Sequence, residues 1–340
     1  MDDITTKTIA RKCGALIAEG DHAGFDIYEK ECVEREGNDA RDLFTSFRAQ
    51  LELELSAREA MLGEEYRPKM WWMRGPYPGN FGDVLTPYVL WHAFGVAPRW
   101  TPAARADGIA IGSIAKVAKP GMKVWGTGMP RPGDALCAEA IWTAVRGPMS
   151  RQAVLDAGGD CPAIYGDPAV LLPELYNEPV EQTTDVGIIP HVLQEASVRA
   201  NVERVAEPGS IKVISLLAGT FAEIEAVIRE IRSCREIVST SLHGVIVAHA
   251  YGIPCQSARI VKQGEIAADS FKMRDYKASV ELVDTALSIP NDFDTMEWLA
   301  ARNCILPPAS IDTTALRGAF PFPARTTPLR SGPIDVRGAI

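Results

Sequence analysis

From Met70 onward, short apolar runs alternate with helical patterns and are separated by glycine and proline. The runs KMWWMR, GIAIGSI, KVWGTG and AIYGDPAVL are typical of buried strands, and a second series continues through VGIIPHV, IKVISLL and EIVST. Buried strands that alternate with helices indicate a parallel sheet. The sequence therefore predicts an α/β fold, and the two series predict two Rossmann-like domains that face each other across a cleft.

Changes in composition predict the boundaries, in a chain of 340 residues that is long enough for more than one core. Residues 1–66 are polar and helix-prone, and predict a helical extension for which a dimer-forming or a capping role stays open. The Rossmann-like domains are predicted at 67–180 and 185–290, around the Pro-, acid- and Thr-rich stretch LPELYNEPVEQTTD. A C-terminal helix and return segment are predicted over 291–320, and a loosely ordered tail over 321–340.

Composition argues against several classes of function. A net charge of -9 and a pI near 5.2 do not suit a nucleic-acid binder, although local cations can still bind a small anion in a cleft. The seven scattered cysteines include no Cys-x-x-Cys pair, so neither a disulfide framework nor a zinc site is expected. The sequence shows no secretory signal and no apolar run of the roughly 18 residues that a spanning helix needs, so the cytoplasm is the expected compartment.

The stretch VSTSLHGVIVAHAYGIPC, residues 238–255, predicts a strand that leads into a helix. Thr240 or Ser241 suits the N-cap, which puts His243 in the first helical turn, near unpaired backbone N–H groups and the positive end of the helix dipole. The apolar stripe of the helix includes His249 and leaves His243 outside. We therefore expect His243 to face the cleft and His249 to be structural, while a helix-start role for His243 stays open.

The stretch PYPGNFGDVLTPYVLWHAFG predicts a glycine-rich entry into a helix. Gly79, Asn80 and Gly82 permit backbone conformations that other residues resist, and Asp83 or Thr86 lies near the helix start. Such an entry lets a ligand approach the backbone closely. A plain turn is the alternative.

Two more stretches carry charged candidates. Arg146 in AVRGPMS has the side chain best shaped to bind a carboxylate or phosphate, with a surface salt bridge as the alternative, and Ser150 suits the cap of the next helix. Asp167 in YGDPAVLLPEL follows a predicted strand, where it is either a turn residue or a site residue. Asp292 and Asp294 have the Asp-x-Asp form of metal-dependent glycosyltransferases, but capping of the following helix explains them better, and no metal is expected.

An ordered set of motifs resembles the polysaccharide pyruvyl transferase family, most closely its exopolysaccharide ketal-forming members. In chain order the motifs are PGNFGDVLTP, IGSI with VWGTGM, AVRGPMSRQAVLDAG, YGDPAVLLP, GIIPH, STSLHGVIVAHAYGIP and FKMRDY. The resemblance covers about residues 70–320. It implies a GT-B-like arrangement, phosphoenolpyruvate as the donor, no cofactor, and transfer of pyruvate onto two hydroxyls of a sugar as a cyclic ketal with release of phosphate. The implied acceptor is a lipid-linked oligosaccharide, which leaves contact with the inner membrane face open; a homodimer is also left open.

The resemblance also implies roles for particular residues. His243 is the implied catalytic histidine, with Asp83 or Asp167 to receive a proton from a sugar hydroxyl. The implied donor-binding residues are Arg146, Ser241, Gly244, Lys272 and Arg274. The loop of Gly79, Asn80 and Gly82 would face the cleft.

The chain departs from the family pattern at one position. Many relatives read Arg-Leu-His-Gly where this chain has Ser241, Leu242, His243 and Gly244. Either Ser241 offers a hydroxyl and the missing charge comes from Arg259, Lys262 or Lys272, or donor affinity is lower. A glycosyltransferase that uses a nucleotide sugar and a non-catalytic scaffold of polysaccharide assembly remain the rival functions.

Overall fold

The computed structural model describes part of the chain, and every structural statement below concerns that part. The described residues are 3–19, 22–41, 43, 44, 47, 67–75, 79–205, 210–261, 270–283, 285–290, 303–307 and 311–324. The predicted helix over DFDTMEWLAARNC, most of the predicted tail and the predicted helical segment after residue 47 lie outside them.

Two parallel sheets of five strands each form the body of the protein, which confirms the predicted α/β class and is consistent with two Rossmann-like units. The first sheet has the order β2-β1-β3-β4-β5 and the second the order β7-β6-β8-β9-β10. The strands of the first sheet are β1 (Lys69–Met70), β2 (Arg99–Trp100), β3 (Gly108–Ile109), β4 (Lys123–Trp125) and β5 (Ile141–Ala144). Those of the second are β6 (Thr184–Ile189), β7 (Ile211–Val213), β8 (Cys234–Ser239), β9 (Cys255–Val261) and β10 (Leu287–Pro290). The described residues of 67–175 are called the first half below, and those of 184–290 the second half.

Both sheets have the same strand order along the chain, with the first strand placed between the second and the third. The direction in which strands are added therefore reverses between β1 and β3 in the first sheet, and between β6 and β8 in the second. In open α/β sheets, ligands bind at such switch points, beyond the carboxyl ends of the strands. The topology therefore points to the loops after β1, β3, β6 and β8.

The helices whose bounds lie within the described residues precede, connect or follow these strands. They are α1 (Asp3–Glu19), α2 (His22–Glu36), α3 (Phe81–Phe94), α4 (Pro148–Asp156), α5 (Leu172–Leu175), α6 (Glu195–Val205), α7 (Phe221–Arg232), α8 (Leu242–Ala250), α9 (Phe271–Ser279) and α10 (Thr314–Gly318). Short 3-10 helices cover Ala103–Arg105, Ala115–Val117 and Pro168–Leu171. Within the described ranges, no helix has the length and apolar character that crossing a membrane requires.

One strand prediction was wrong, and two strands of the first sheet, β2 and β5, were not predicted. The run AIYGDPAVL forms only a single bridge, Val145 to Tyr165, and then a 3-10 helix, because Gly166 takes φ 143° and Pro168 cannot donate to a ladder. The fifth strand of the first sheet is instead β5, which lies between the runs KVWGTG and AIYGDPAVL, where no strand was predicted. Its alternating exposure, with Trp142 and Ala144 buried, is typical of a strand.

One continuous core joins the two halves. Buried side chains of α3, the 3-10 helix Pro168–Leu171, α7 and α8 form a single apolar cluster with residues of both sheets. The C-terminal segment returns to the first half, where Phe320 stacks on Phe94 with ring centroids 3.8 Å apart and the Trp125 indole donates to the Leu316 carbonyl over 2.8 Å. The helices α1 and α2 contribute to a separate small cluster around Phe25 and Phe44. The predicted domain boundaries stay predictions.

Candidate active site

His243 lies in the first turn of α8, directly after β8, as the sequence predicts. Ser241 occupies the N-cap position in an extended conformation, but its side chain makes no capping hydrogen bond. The predicted apolar stripe is too narrow, because α8 is buried on all sides from Leu242 to His249 and His243 itself is only 8% exposed. A helix that is apolar all round belongs inside the protein, and this one packs between the two halves.

Asp167 approaches His243 from the first half. Its Oδ1 accepts a hydrogen bond from the Ala169 backbone N–H over 3.1 Å and so caps the 3-10 helix Pro168–Leu171. Its Oδ2 lies 3.5 Å from His243 Nε2, and neither of these two buried atoms has a hydrogen-bond partner. Asp167 is therefore a turn residue through Oδ1, while its Oδ2 faces His243. Buried polar atoms that remain unpaired usually mark a place where water or a ligand binds.

Gly82 and Asp83, in the first turn of α3, complete this contact. A methyl group added to Gly82 would overlap the His243 imidazole, so only glycine lets the ring lie against this turn. Asp83 lies at the switch point of the first sheet. Its Oδ1 would be only 2.9 Å from a Cβ atom added to Gly112, which follows β3. The pKa of Asp83 is raised to about 6, mainly by burial and also by the neighbouring Asp167, while His243 and Lys272 act in the opposite direction.

Lys272, in the first turn of α9, supplies the positive charge of this cluster. Lys272 is half-buried, and burial together with the nearby Arg146 lowers its pKa, whereas Asp83 raises it. The structure thus brings four titratable side chains together. Asp83 and Asp167 come from the first half, and His243 and Lys272 come from the second half. This group is called the cluster below.

Arg146 is placed differently from the sequence expectation. It follows β5 and is fully buried, and its guanidinium donates to Asp275 Oδ2 over 3.2 Å, to Ser113 Oγ over 2.8 Å and to the Met129 carbonyl over 2.6 Å. Arg146 is therefore not a surface salt bridge, and its hydrogen bonds go to protein groups. It still contributes positive charge near Asp167 and Lys272. Ser150 is the third residue of α4, not its cap, because Gly147 occupies the N-cap.

The other predicted residues take mostly structural positions. Asn80 caps α3 by accepting from the Gly82 N–H, and the backbone of Gly79 and Asn80 pairs with residues 216–218 after β7. A side chain on Gly244 would overlap the Ser239 hydroxyl, so this glycine permits the close approach of α8 to β8. Arg274 lies on the exposed face of α9, away from the buried positions.

Two other histidines, His249 and His191, differ in their surroundings. His249 is buried, its Nδ1 lies 3.1 Å from the Tyr276 hydroxyl, and burial lowers its pKa to about 4, all of which fits a structural role. His191, which the sequence did not single out as a site residue, follows β6 at the switch point of the second sheet. Its Nδ1 accepts from the Leu193 N–H over 3.3 Å, and burial and the nearby Lys272 lower its pKa. Its position in the GIIPH motif was the signal available for finding it.

No metal site accompanies these groups in the described part of the chain, where no three His, Cys, Asp or Glu side chains are arranged as ligands. Asp292 and Asp294 lie outside the described residues.

Comparison with known proteins agrees with the motifs. Residues 137–255 match the model of the polysaccharide pyruvyl transferase family, which confirms over that segment the family predicted from the sequence. An uncharacterized protein of Acanthamoeba polyphaga mimivirus is 29% identical over 170 residues, which are 49% of this chain and 57% of that protein, so the match spans little more than half of the relative. No solved structure matches the chain.

Proposed function

We propose that the chain is a pyruvyltransferase that moves pyruvate from phosphoenolpyruvate onto two hydroxyls of a sugar as a cyclic ketal, with release of phosphate. The family model covers Arg146, Asp167 and His243 but neither Asp83 nor Lys272. The observation that carries the proposal is the cluster, because all four of its side chains lie at the carboxyl-end loops of two parallel sheets or on the helices that follow them.

The donor is a small trianion, and two features beside the cluster's carboxyl groups can attract it. Lys272 supplies a partly desolvated ammonium group, and the first turn of α8 presents backbone N–H groups and the positive end of the helix dipole. Low dielectric surroundings strengthen both interactions. Lys272 would then replace the arginine that many relatives carry at the position of Ser241, and Arg146 would add charge from behind the site.

Ketal formation requires four events. The methylene carbon of phosphoenolpyruvate takes up a proton, one sugar hydroxyl attacks the adjacent carbon, phosphate leaves, and the second hydroxyl attacks the same carbon. Each hydroxyl gives up its proton, so that one proton ends in the new methyl group and the other leaves with phosphate. The reaction therefore needs proton transfer but no oxidant or reductant.

The environments of the cluster residues suggest their roles. Asp83, with a pKa of about 6, keeps its proton in part of the molecules near neutral pH and is the group best suited to protonate the methylene carbon. His243 would accept the proton of the attacking hydroxyl, and Asp167, 3.5 Å from its Nε2, would stabilise the imidazolium that forms. The acceptor is a sugar of a polysaccharide repeat unit, which the lipid-linked form would bring to the inner membrane face.

Phosphate release tests the proposal. The purified protein is incubated with phosphoenolpyruvate and a β-galactoside or a lipid-linked glycan, and phosphate should appear only when both are present. The His243→Ala variant should lose turnover by about 10²-fold or more, while His249→Gln, a change on the same helix outside the cluster, should keep it. Nucleotide release from a UDP-sugar would instead favour a glycosyltransferase, and a biological output that survives His243→Ala would favour a scaffold.

A further inference from the structure

The helix α9 belongs by chain order to the second half, yet one of its side chains is bound entirely by the first. It lies between β9 and β10 and carries Asp275, which is fully buried. The Asp275 carboxylate accepts hydrogen bonds from Arg146, which follows β5, and from Ser150 in α4. This contact therefore joins two segments that are more than a hundred positions apart.

Asp275 caps α4 from the other half. The N-cap residue of α4, Gly147, has no side chain to accept from the first-turn N–H groups. Asp275 Oδ1 accepts from the Ser150 backbone N–H over 2.9 Å, which is the bond that a capping side chain normally makes to the third residue of a helix. A carboxylate at this position also interacts favourably with the helix dipole. Any side chain on Gly147 would overlap the Asp275 carbonyl, so the glycine makes room for α9.

The second oxygen of Asp275 fixes the orientation of the helix. Oδ2 accepts from Ser150 Oγ over 2.6 Å and from Arg146 Nε over 3.2 Å, and Arg146 Nη2 lies 3.1 Å away. Both side chains of the ion pair are completely buried. Ion pairs of this kind add little net stability but are costly to break on one side, so a shift of α9 that separates Asp275 from Arg146 is disfavoured.

Lys272 precedes Asp275 by three residues, and side chains at this spacing lie on the same face of a helix. The face of α9 that carries Asp275 packs against the first half. The same face therefore places Lys272 near Asp83. A shift of α9 would move both side chains together. The position of the ammonium group in the cluster thus depends on the contact between Asp275 and the first half.

We propose that Asp275 is a positioning residue for the donor site, which holds Lys272 in the cluster by docking α9 onto Arg146 and the amino end of α4. The inference rests on the proposed function, since it assigns Lys272 to the donor anion. Asp275 itself touches no substrate. Arg146 accordingly serves the donor through this contact and through its charge.

The test is a double-mutant cycle on the full chain with phosphoenolpyruvate as the varied substrate. Asp275→Asn keeps the shape and the acceptor for the Ser150 N–H but removes the charge opposite Arg146. Its KM should rise about tenfold or more with a smaller change in kcat, because a misplaced ammonium group weakens donor binding. In a Lys272→Met background the same change should alter KM by less than about twofold, since effects that act through one group are not additive. The matched control is Ser279→Ala on the same helix. The Ser279 hydroxyl donates to the Tyr276 carbonyl over 2.6 Å, away from Arg146 and α4.

Additive effects in the two backgrounds, or an unchanged KM in Asp275→Asn, would overturn the assignment. If Asp275→Asn does not fold, Ser150→Ala takes its place in the same cycle, with a smaller rise in KM expected, and additivity there counts equally against it. Amide hydrogen exchange at Ser150, measured without substrate, separates the two levels of the argument. Faster exchange in Asp275→Ala, which removes the acceptor of the Ser150 N–H, together with a wild-type protein that never turns over would reject the proposed function and leave the docking contact intact, whereas unchanged exchange in this variant would reject the contact.

Discussion

Replacement of Asp83 by asparagine should make the protein more stable and less active. Burial raises the pKa of Asp83 from 3.8 to about 6, which means that the folded state holds the ionised carboxylate less well than water does. Each pKa unit corresponds to about 1.36 kcal/mol, so ionised Asp83 costs about 3 kcal/mol of folding free energy. The neutral amide of the variant would carry no such cost. Because Lys272 loses a neutralising neighbour in the variant, about 3 kcal/mol is an upper limit.

The pH dependence of stability tests this explanation more sharply than stability at a single pH. Between the unfolded and folded pKa values of Asp83 the folded state binds more protons at this group, so the contribution of Asp83 to wild-type stability falls as pH rises from 3.8 to about 6 and is level above that. The Asp83→Asn variant lacks this contribution. The difference in stability between variant and wild type should therefore be small near pH 4, grow up to about pH 6 and then remain constant.

Thermal and urea unfolding of both proteins across pH 4–8 measure this difference. A gain of 1 kcal/mol corresponds to a rise in Tm of about 2–4 °C for domains of ordinary size. In parallel, turnover should fall by about 10²-fold or more if Asp83 protonates the donor. Such a trade between stability and activity is common at strained or desolvated active sites. A variant that is less stable than the wild type at pH 8, or a stability difference that does not change with pH, would refute the reasoning about Asp83.

Two further changes test the packing around the site. Gly82→Ala should reduce turnover by about 10²-fold because its methyl group displaces the His243 imidazole. Gly75→Ala is the control and should leave turnover unchanged, because a methyl group there meets nothing within 4 Å. Equal turnover in the two variants would contradict this prediction. Trp125→Phe should lower the free energy of unfolding by about 1–3 kcal/mol, because the buried Leu316 carbonyl loses its donor, while KM for phosphoenolpyruvate stays the same. An unchanged midpoint in chemical unfolding would show that this hydrogen bond does not hold the C-terminal segment.

Local sequence was a good guide to the start of α8 and to the longer strands, although it placed the cap of α4 at Ser150 instead of Gly147. The helix over FAEIEAVIREIRSC appears as α7 with the capping box of Thr220 and Glu223, and the run EIVST lies in β8. In contrast, β2 and β5 were not predicted as strands. A strand of two to four residues has too few positions for its period to be distinguished from a loop or a helix.

The candidate site shows the same division at the level of single residues. Asp83, Asp167 and His243 were chosen because each follows a strand or begins a helix, and the structure places them together. Arg146 was chosen on equal grounds, but its Nε binds a carboxylate 129 positions later in the chain, and no local pattern predicts that partner. His191 was missed because a histidine after a strand has no distinctive spacing of its own.

The sequence by itself determined the α/β class, several helix starts and the types of side chain that follow the strand ends, because these depend on neighbours within a few residues. Only the tertiary structure decided which of those side chains share one buried space. It also decided that the pKa of Asp83 is raised and that Asp275 caps a helix of the other half. Burial and charge act through space, and the distances involved are set by how remote segments pack against one another.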